Sequence, residues 1–230
     1  AERMNTQVRG MNVAIRNAND AISLSQTAEG ALSKINDMGQ RMRELAVQSA
    51  NATNSDSDRK NLDAEYQALA EEIKRNLAGA AFNGTKLFAA AAALTFQVGA
   101  NAASTDQITI NTENLVGENK ITAVIGNNAK PEGIATATTA SAALGKLDEM
   151  LSLVNSKRAE FGATQNRFEA VIQTLQVSAE NQTAARSRIM DADFASETAS
   201  LTRSQVLQQA GTAMLSQANS LPNNVLSLLR

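Results

Sequence analysis

The run LGKLDEMLSLVNSKRAEFGATQNRFEAVIQTLQVSAENQ, Leu144 to Gln182, decides how this chain is read. Counting alternately three and four residues from Leu144 passes through Leu147, Leu151, Val154, Arg158, Phe161, Gln165, Phe168, Ile172, Leu175, Ala179 and Gln182. A repeat averaging about 3.5 residues keeps one stripe of a helix against a partner helix. The run therefore predicts a long helix with a core seam at Leu147, Leu151, Val154, Phe161, Phe168, Ile172 and Leu175. It contains no proline. Only Gly145 and Gly162 weaken its interior, each by roughly 1 kcal/mol against alanine. At about 1.5 Å per residue the helix is about 55–60 Å long, so it needs partners of similar length.

One partner precedes it. From Glu2 to Ala50, Val8, Met11, Ile15, Ala18, Ile22, Ser25, Leu32, Ile35, Met38, Met42, Leu45 and Ser49 recur mostly at three- and four-residue spacing. The Asn/Ser/Asp cluster from Asn51 to Asp58 is a turn and N-cap signal, because those side chains bond nearby backbone. A shorter helix over about Asp56–Gly79 follows, with Leu62, Tyr66, Leu69, Ile73 and Leu77 on one face. A short turn between long helices makes them antiparallel neighbours.

Helical period then stops. Phe82-Asn83-Gly84-Thr85 reads as a turn. Leu94–Val98 and Gln107–Ile110 alternate as half-buried strands, and Lys120–Ile125 reads as a third. Ala89–Ala93 fills a place where a turn favours Gly, Asn or Asp. It reads as a disordered stretch whose alanines stand in for other side chains. Residues Gly126–Thr139, rich in Gly, Asn, Pro, Ala and Thr, form a loop leading to the long helix. After Gln182 charges crowd the segment from Arg186 to Arg203, and from Ser204 to Leu229 there are none. Along that uncharged tail Leu207, Ala210, Met214, Leu221, Val225 and Leu228 keep helical spacing, and Pro222 is expected to stop or restart the helix. An uncharged amphipathic stretch calls for burial against a partner. The fold class is thus mainly α: a long antiparallel helical bundle or coiled coil, a small β region at about Leu94–Ile125, and a carboxy-terminal helical segment.

Composition narrows the chemistry. Only 3% of residues are aromatic, Trp is absent, and the formal net charge is −2, which gives no electrostatic footprint for nucleic acid or anionic lipid. Cys and His are both zero, so disulfides, thiolate nucleophiles and the commonest general base and metal ligand are missing. No catalytic, cofactor-binding or metal residues are assigned. Asp191 and Asp193 stand two apart and point to different sides of a helix, so they read as an N-cap or charged hinge rather than a cation site. No GxxxxGK[ST], GxSxG or SxxK string occurs, and no apolar run reaches the length of a membrane span.

Several long strings carry a family resemblance. Arg16–Ser23 with Thr27–Leu32, Gln40–Asn51, Phe82-Asn83-Gly84 and Phe96–Asn101 resemble the amino-terminal and β blocks of bacterial flagellin. Arg158–Ala163 with Gln165–Phe168, Ala185–Ile189 with Asp191–Ala195, Gln208–Gly211 and the ending Asn224–Arg230 resemble its carboxy-terminal blocks. The match covers nearly the whole chain. Two departures stand out: the family's extreme amino terminus is missing, in keeping with an opening at Ala1-Glu2-Arg3-Met4 inside a helical pattern, and so are the variable outer domains.

The resemblance implies a structural, non-enzymatic subunit that self-assembles into a secreted, extracellular flagellar filament for motility. It implies D1 amino-terminal helices at 1–81, a small β region and loop at 82–139, the long D1 helix at 140–184, and a D0 segment at 185–230. Without its amino-terminal D0 partner the chain is expected to stay monomeric or to form small non-native associations. Implied partners are other flagellin subunits, an export chaperone, filament cap or junction proteins, and a Toll-like receptor contacting Arg41, Leu45 and Glu65. Leu207, Met214, Leu221, Val225 and Leu228 would serve D0 assembly and the chaperone. Gln165, a polar residue in the seam, would fix helix register. The alternative is a flagellin-like surface protein that binds a polysaccharide or host receptor; a single tyrosine, Tyr66, and no tryptophan weaken the glycan version. An inserted HExxH protease is excluded because the chain has no histidine.

Overall fold

A computed structural model describes residues 2–126, 131–190 and 194–228, with only the backbone described at 194, 195 and 219–228. The elements run α1 Glu2–Ala50, α2 Asp56–Gly79, β1 Ala81–Phe82, β2 Thr85–Lys86, β3 Ala92–Gln97, β4 Gln107–Thr112, α3 Asn119–Ile125, α4 Ala137–Met190 and α5 Phe194–Leu228. Two compact units divide near Thr183, one holding residues 2–183 and the other running from Ala184 onward.

In the first unit, α1 and α2 are joined by a turn whose polar groups are nearly all used. Ser55 is the N-cap of α2: its hydroxyl accepts the Asp58 N–H at 3.2 Å, and the Asp58 carboxylate accepts the Ser55 N–H at 3.0 Å. This reciprocal box satisfies donors that a helix start leaves orphaned. The buried Arg59 donates back to the carbonyls of Asn51 and Asn54 at 2.9 and 3.3 Å. The side chain of Asn54 caps the Gln48 carbonyl in the last turn of α1. Both helices thus end and begin where the sequence placed the turn.

The core is one continuous cluster. Leu32, Ile35, Met42 and Leu45 of α1 and Ile73 and Leu77 of α2 are fully buried, and so are Leu147, Met150, Val154 and Phe168 of α4. On α4 the buried positions Ala140, Ala143, Leu147, Met150, Val154, Phe161 and Phe168 repeat by threes, fours and sevens. The expected seam is therefore half right. Leu147, Val154, Phe161 and Phe168 form its buried line, but Leu151, Ile172 and Leu175 are only half-buried, and Met150 takes the central place expected of Leu151. The buried line is turned by one residue, about 100° around the helix, and both Met150 and Leu151 pack at Gly39 of α1, where an added Cβ would lie 2.8 Å from Met150 Cε and 2.9 Å from Leu151 Cδ2.

The β region is two antiparallel pairs. β1 and β2 are joined by Asn83 (φ 46°) and Gly84 (φ 81°), a two-residue turn with both φ positive, for which Asn-Gly is the favoured sequence. β3 and β4 pair with Leu94 opposite Ile110 and Phe96 opposite Ile108. Along β4 Ile108, Ile110 and Thr112 are buried while Gln107, Thr109 and Asn111 are exposed. The pair is tied to α1 by the Asn17 amide on the Gln97 carbonyl at 3.0 Å. Edge-to-face ring pairs tie the region to α4, Phe96 with Phe168 at 5.8 Å and Phe88 with Phe161 at 6.3 Å.

Two expectations fail in this region. Lys120–Ile125 is no third strand; it lies in α3. Ile121, Thr122, Val124 and Ile125 are β-branched, but Ile121, Val124 and Ile125 are the buried ones, an i, i+3, i+4 set that only a helix brings to one side. Gly126, at φ 71° and ψ 145°, leaves the helix in a positive-φ conformation that glycine adopts without steric cost. Ala89–Ala93 is not a disordered connection either: Ala92 and Ala93 begin β3 opposite Thr112 and Asn111, and the Thr112 hydroxyl bonds the Ala90 and Ala92 carbonyls.

The approach to α4 is strapped down. Ile134 is fully buried, its carbonyl accepting the Ser49 hydroxyl at 2.5 Å and its N–H donating to Asp63 at 2.6 Å. The Thr136 hydroxyl then accepts the Thr139 N–H at 3.1 Å to cap α4. In the second unit α5 runs through Pro222 without stopping. Proline's fixed φ suits a helix, so the missing N–H and the crowding of the preceding turn are its only costs. Asp191 and Asp193 lie outside the described residues.

Candidate functional site

The expected recognition residues sit where α1 and α2 lie side by side. Arg41 Nε donates to Glu65 Oε1 at 2.8 Å and its Nη1 to Glu44 Oε2 at 3.0 Å, with the Arg41 and Glu65 side chains 49% and 46% exposed. The hydrogen bond to Glu65, followed by that to Glu44, holds the Arg41 guanidinium above its usual range. Leu45 does not join them. It is fully buried in the core, one turn along α1 from Arg41, and is no part of the free chain's surface. The assignment is corrected: Arg41 and Glu65 are surface residues, and Leu45 is packing.

Three ion-pair clusters escaped the sequence reading. Arg43 Nε donates to Asp148 Oδ1 at 2.7 Å, linking α1 to α4 and pulling the Asp148 carboxyl below its usual range. The two polar residues of the expected seam converge on α1. Gln165 Nε2 donates to Glu29 Oε2 at 3.0 Å, and Arg158 Nη2 lies 3.8 Å from Glu29 Oε1. Lys157, its side chain only 14% exposed, reaches Glu113 at 2.7 Å and Glu160 at 3.1 Å. Burial alone would lower the Lys157 pKa, but the two carboxylates outweigh it and hold the ammonium above its usual range. The Lys157–Glu160 spacing was visible in the sequence; Glu113, 44 residues away, was not.

The tail differs in kind. Leu207 and Met214, both expected to serve assembly, are 66% and 71% exposed, and Leu201, Val206 and Leu215 stand out beside them. Those three were not singled out from the sequence, although Leu215 directly follows Met214. The side chains of Leu221, Val225 and Leu228 lie outside the described ones. Among the described residues no His, Cys, Asp or Glu cluster is arranged to hold a metal, and no helix is long and apolar enough to cross a membrane.

A helical bundle without a metal cluster among its described residues, and a separate helix of exposed apolar side chains, are features of a structural protein rather than of a catalytic pocket. The relatives say which. Models of the bacterial flagellin N-terminal and C-terminal helical regions match residues 1–93 and 144–229. The chain is 42% identical over 231 residues to a flagellin of Halalkalibacterium halodurans, covering all of this chain and 82% of that one. It is 40% identical to the flagellar filament 31.3 kDa core protein of Treponema maltophilum, covering all of this chain and 83% of that one. The crystal structure of Bacillus cereus flagellin superposes with a TM-score of 0.58 at 30% identity, covering 74% of this chain and 94% of that one. The chain belongs to the bacterial flagellin family and is a structural subunit of the flagellar filament, assembling with other copies of flagellin. Nothing in these relatives favours the polysaccharide-binding alternative.

Proposed function

We propose that residues 2–183 form the outer D1 layer of the filament and that α5 belongs to the inner D0 layer, where its apolar side chains pack against other copies along the central tube. The observation that carries this reading is the bareness of α5. Leu201, Val206, Leu207, Met214 and Leu215 are 57–72% exposed on a helix that has no charge from Ser204 onward. Each Å² of apolar surface removed from water contributes about 25 cal/mol, so a stacked copy is the natural cover. Contacts of this head-to-tail kind do not close, and they generate a filament. Before assembly the same face would be held by an export chaperone, and at the filament's ends by cap or junction proteins. The protein acts outside the cell and without catalysis.

Gln165 and Arg158, meeting Glu29, set the register of α4 on α1, since a misaligned pair would strand half-buried polar groups. Gln165→Leu is expected to raise the population of misregistered or non-native associations; unchanged melting, oligomeric state and filament assembly would refute that role.

The decisive experiment puts Leu207→Asp and Met214→Asp into the protein in bacteria that build their filament from it. Filaments should be lost while melting of the helical bundle is unaffected. Filaments of normal length in both variants would overturn the reading. A second role, contact with a Toll-like receptor, has the half-exposed Arg41–Glu65 pair in its favour. Replacing Arg41 with a neutral residue should then weaken receptor signalling, and unchanged signalling would remove this role.

A further inference from the structure

The two-stranded sheet of β3 and β4 has an unpaired outer edge. The Val98 N–H donates to the Asp106 carbonyl at 2.7 Å, which sets the alternation of the ladder. Antiparallel strands exchange bonds at every second pair. Phe96–Ile108 and Leu94–Ile110 are therefore the bonded pairs, and the N–H and C=O of Thr109 and Asn111 point away from β3. They point into a cleft of about 290 Å³ between β4 and α4. Its floor is apolar, formed by Phe88, Leu115 and Phe161, all buried.

The rim is charged unequally. At one end Lys157 is shared by Glu113 and Glu160, two carboxylates to one ammonium. At the other end is Arg167, exposed and without an ion pair among the described residues. Phe161 lies between them, and Arg167 is six positions further along α4, about 9 Å of helix rise. In an extended chain, residues two apart face the same way and lie about 7 Å from each other. An apolar side chain on the floor thus places a carboxylate two positions away beside Arg167.

We propose that the outer edge of β4 and the cleft beside it bind an extended peptide of a partner protein, one that presents an apolar residue and, two positions from it, a carboxylate. The peptide adds as a third strand. The main-chain groups of Thr109 and Asn111 supply affinity, the floor takes the apolar residue, and Arg167 reads the carboxylate. The surplus negative charge of Glu113 and Glu160 repels an acidic residue at the other end and so sets the peptide's direction. A free strand edge of this kind is otherwise a liability that proteins cover.

The test is fluorescence anisotropy of the full chain with a fluorescein-labelled Thr-Val-Thr-Asp-Thr peptide. Saturable binding is expected, at least tenfold weaker when lysine replaces the aspartate of the peptide. Arg167→Glu should reverse that preference. Asn111→Pro removes only an outward-facing N–H, which an edge strand tolerates, so it should keep the melting profile and lose at least tenfold in affinity. The proposal is overturned by absence of saturable binding up to millimolar peptide, or by binding indifferent to both variants. It is also overturned if the chain sediments as a dimer that Asn111→Pro dissociates, since a second copy would then occupy the edge.

Discussion

Helices α4 and α5 are both long and both carry apolar residues at three- and four-residue spacing, yet only α4 has a buried face. Leu147, Val154 and Phe168 are fully buried against α1 and the β region, whereas α5 has no buried side chain among its described residues. Periodicity specifies that a helix has a face; it does not supply the surface that covers it. Most helical stability comes from packing of that face rather than from propensity. The two helices therefore play opposite parts: α4 contributes to the fold of one chain, and under the proposed function α5 holds its apolar surface in reserve for other copies.

The largest expected effect breaks or confirms this contrast directly. Phe168→Ala removes a buried ring that pairs edge-to-face with Phe96, and should cost about 3–5 kcal/mol. Met214→Ala, at a side chain 71% exposed, should stay within about 0.5 kcal/mol. Thermal melts of the two variants check both, and comparable losses would erase the distinction.

Alkaline pH probes the packed region alone. Tyr66 is the chain's single tyrosine, and its pKa is pushed up to about 12, chiefly by burial and then by the charges of Asp63 and Glu132. An unfolded tyrosine titrates near pH ~10. The fold favours the neutral phenol, so this stabilisation is complete below pH ~10 and is lost as pH rises toward about 12, by up to ~2–3 kcal/mol. Absorbance of the tyrosinate, free of tryptophan, should show a folded midpoint near the higher value and an unfolded midpoint near the lower. Tyr66→Phe should flatten the alkaline loss; equal midpoints in folded and unfolded chains would contradict the burial.

Smaller effects lie at helix ends and interiors. Ser55→Ala removes the α2 cap and should cost about 1 kcal/mol. The hydrogen bonds from Ser55 hold the Asp58 carboxyl below its usual range. Their stabilisation is therefore present above the ordinary carboxylate pKa and fades as pH falls through the lowered one, and acid titration of Ser55→Ala should show less of that fading. Gly162 has no atom within 4 Å of an added Cβ, so Gly162→Ala should stabilise by about 0.5–1 kcal/mol. Gly39→Ala should gain less, because its methyl meets Met150 and Leu151. Denaturant midpoints of the two variants compare them.

What could be read from the sequence follows the same division. The limits of α1 and α2 were legible because apolar spacing ended in a run of Asn, Ser and Asp. The α4 seam was legible as a stripe but not in its rotation, which is set by packing against elements distant in sequence. Lys120–Ile125 misled because Ile, Thr and Val favour strands, while the burial of Ile121, Val124 and Ile125 selects a helix. Leu45 misled in another way. Its place in the α1 stripe with Ile35, Met38 and Met42 already marked it as core, and family resemblance outweighed that signal. The Lys157 cluster and the free edge of β4 arise from residues far apart in sequence, and only the folded chain brings them together.

The central claim is that α5 acquires its burial from other copies of the chain. Hydrogen exchange measured on the free protein and on assembled filaments tests it most directly. Amides of α1 and of α4 up to Thr183 should be protected in both states, and those of Thr198–Gln217 should exchange rapidly in the free protein and become protected in the filament. Equal protection of α5 in the two states would contradict the account.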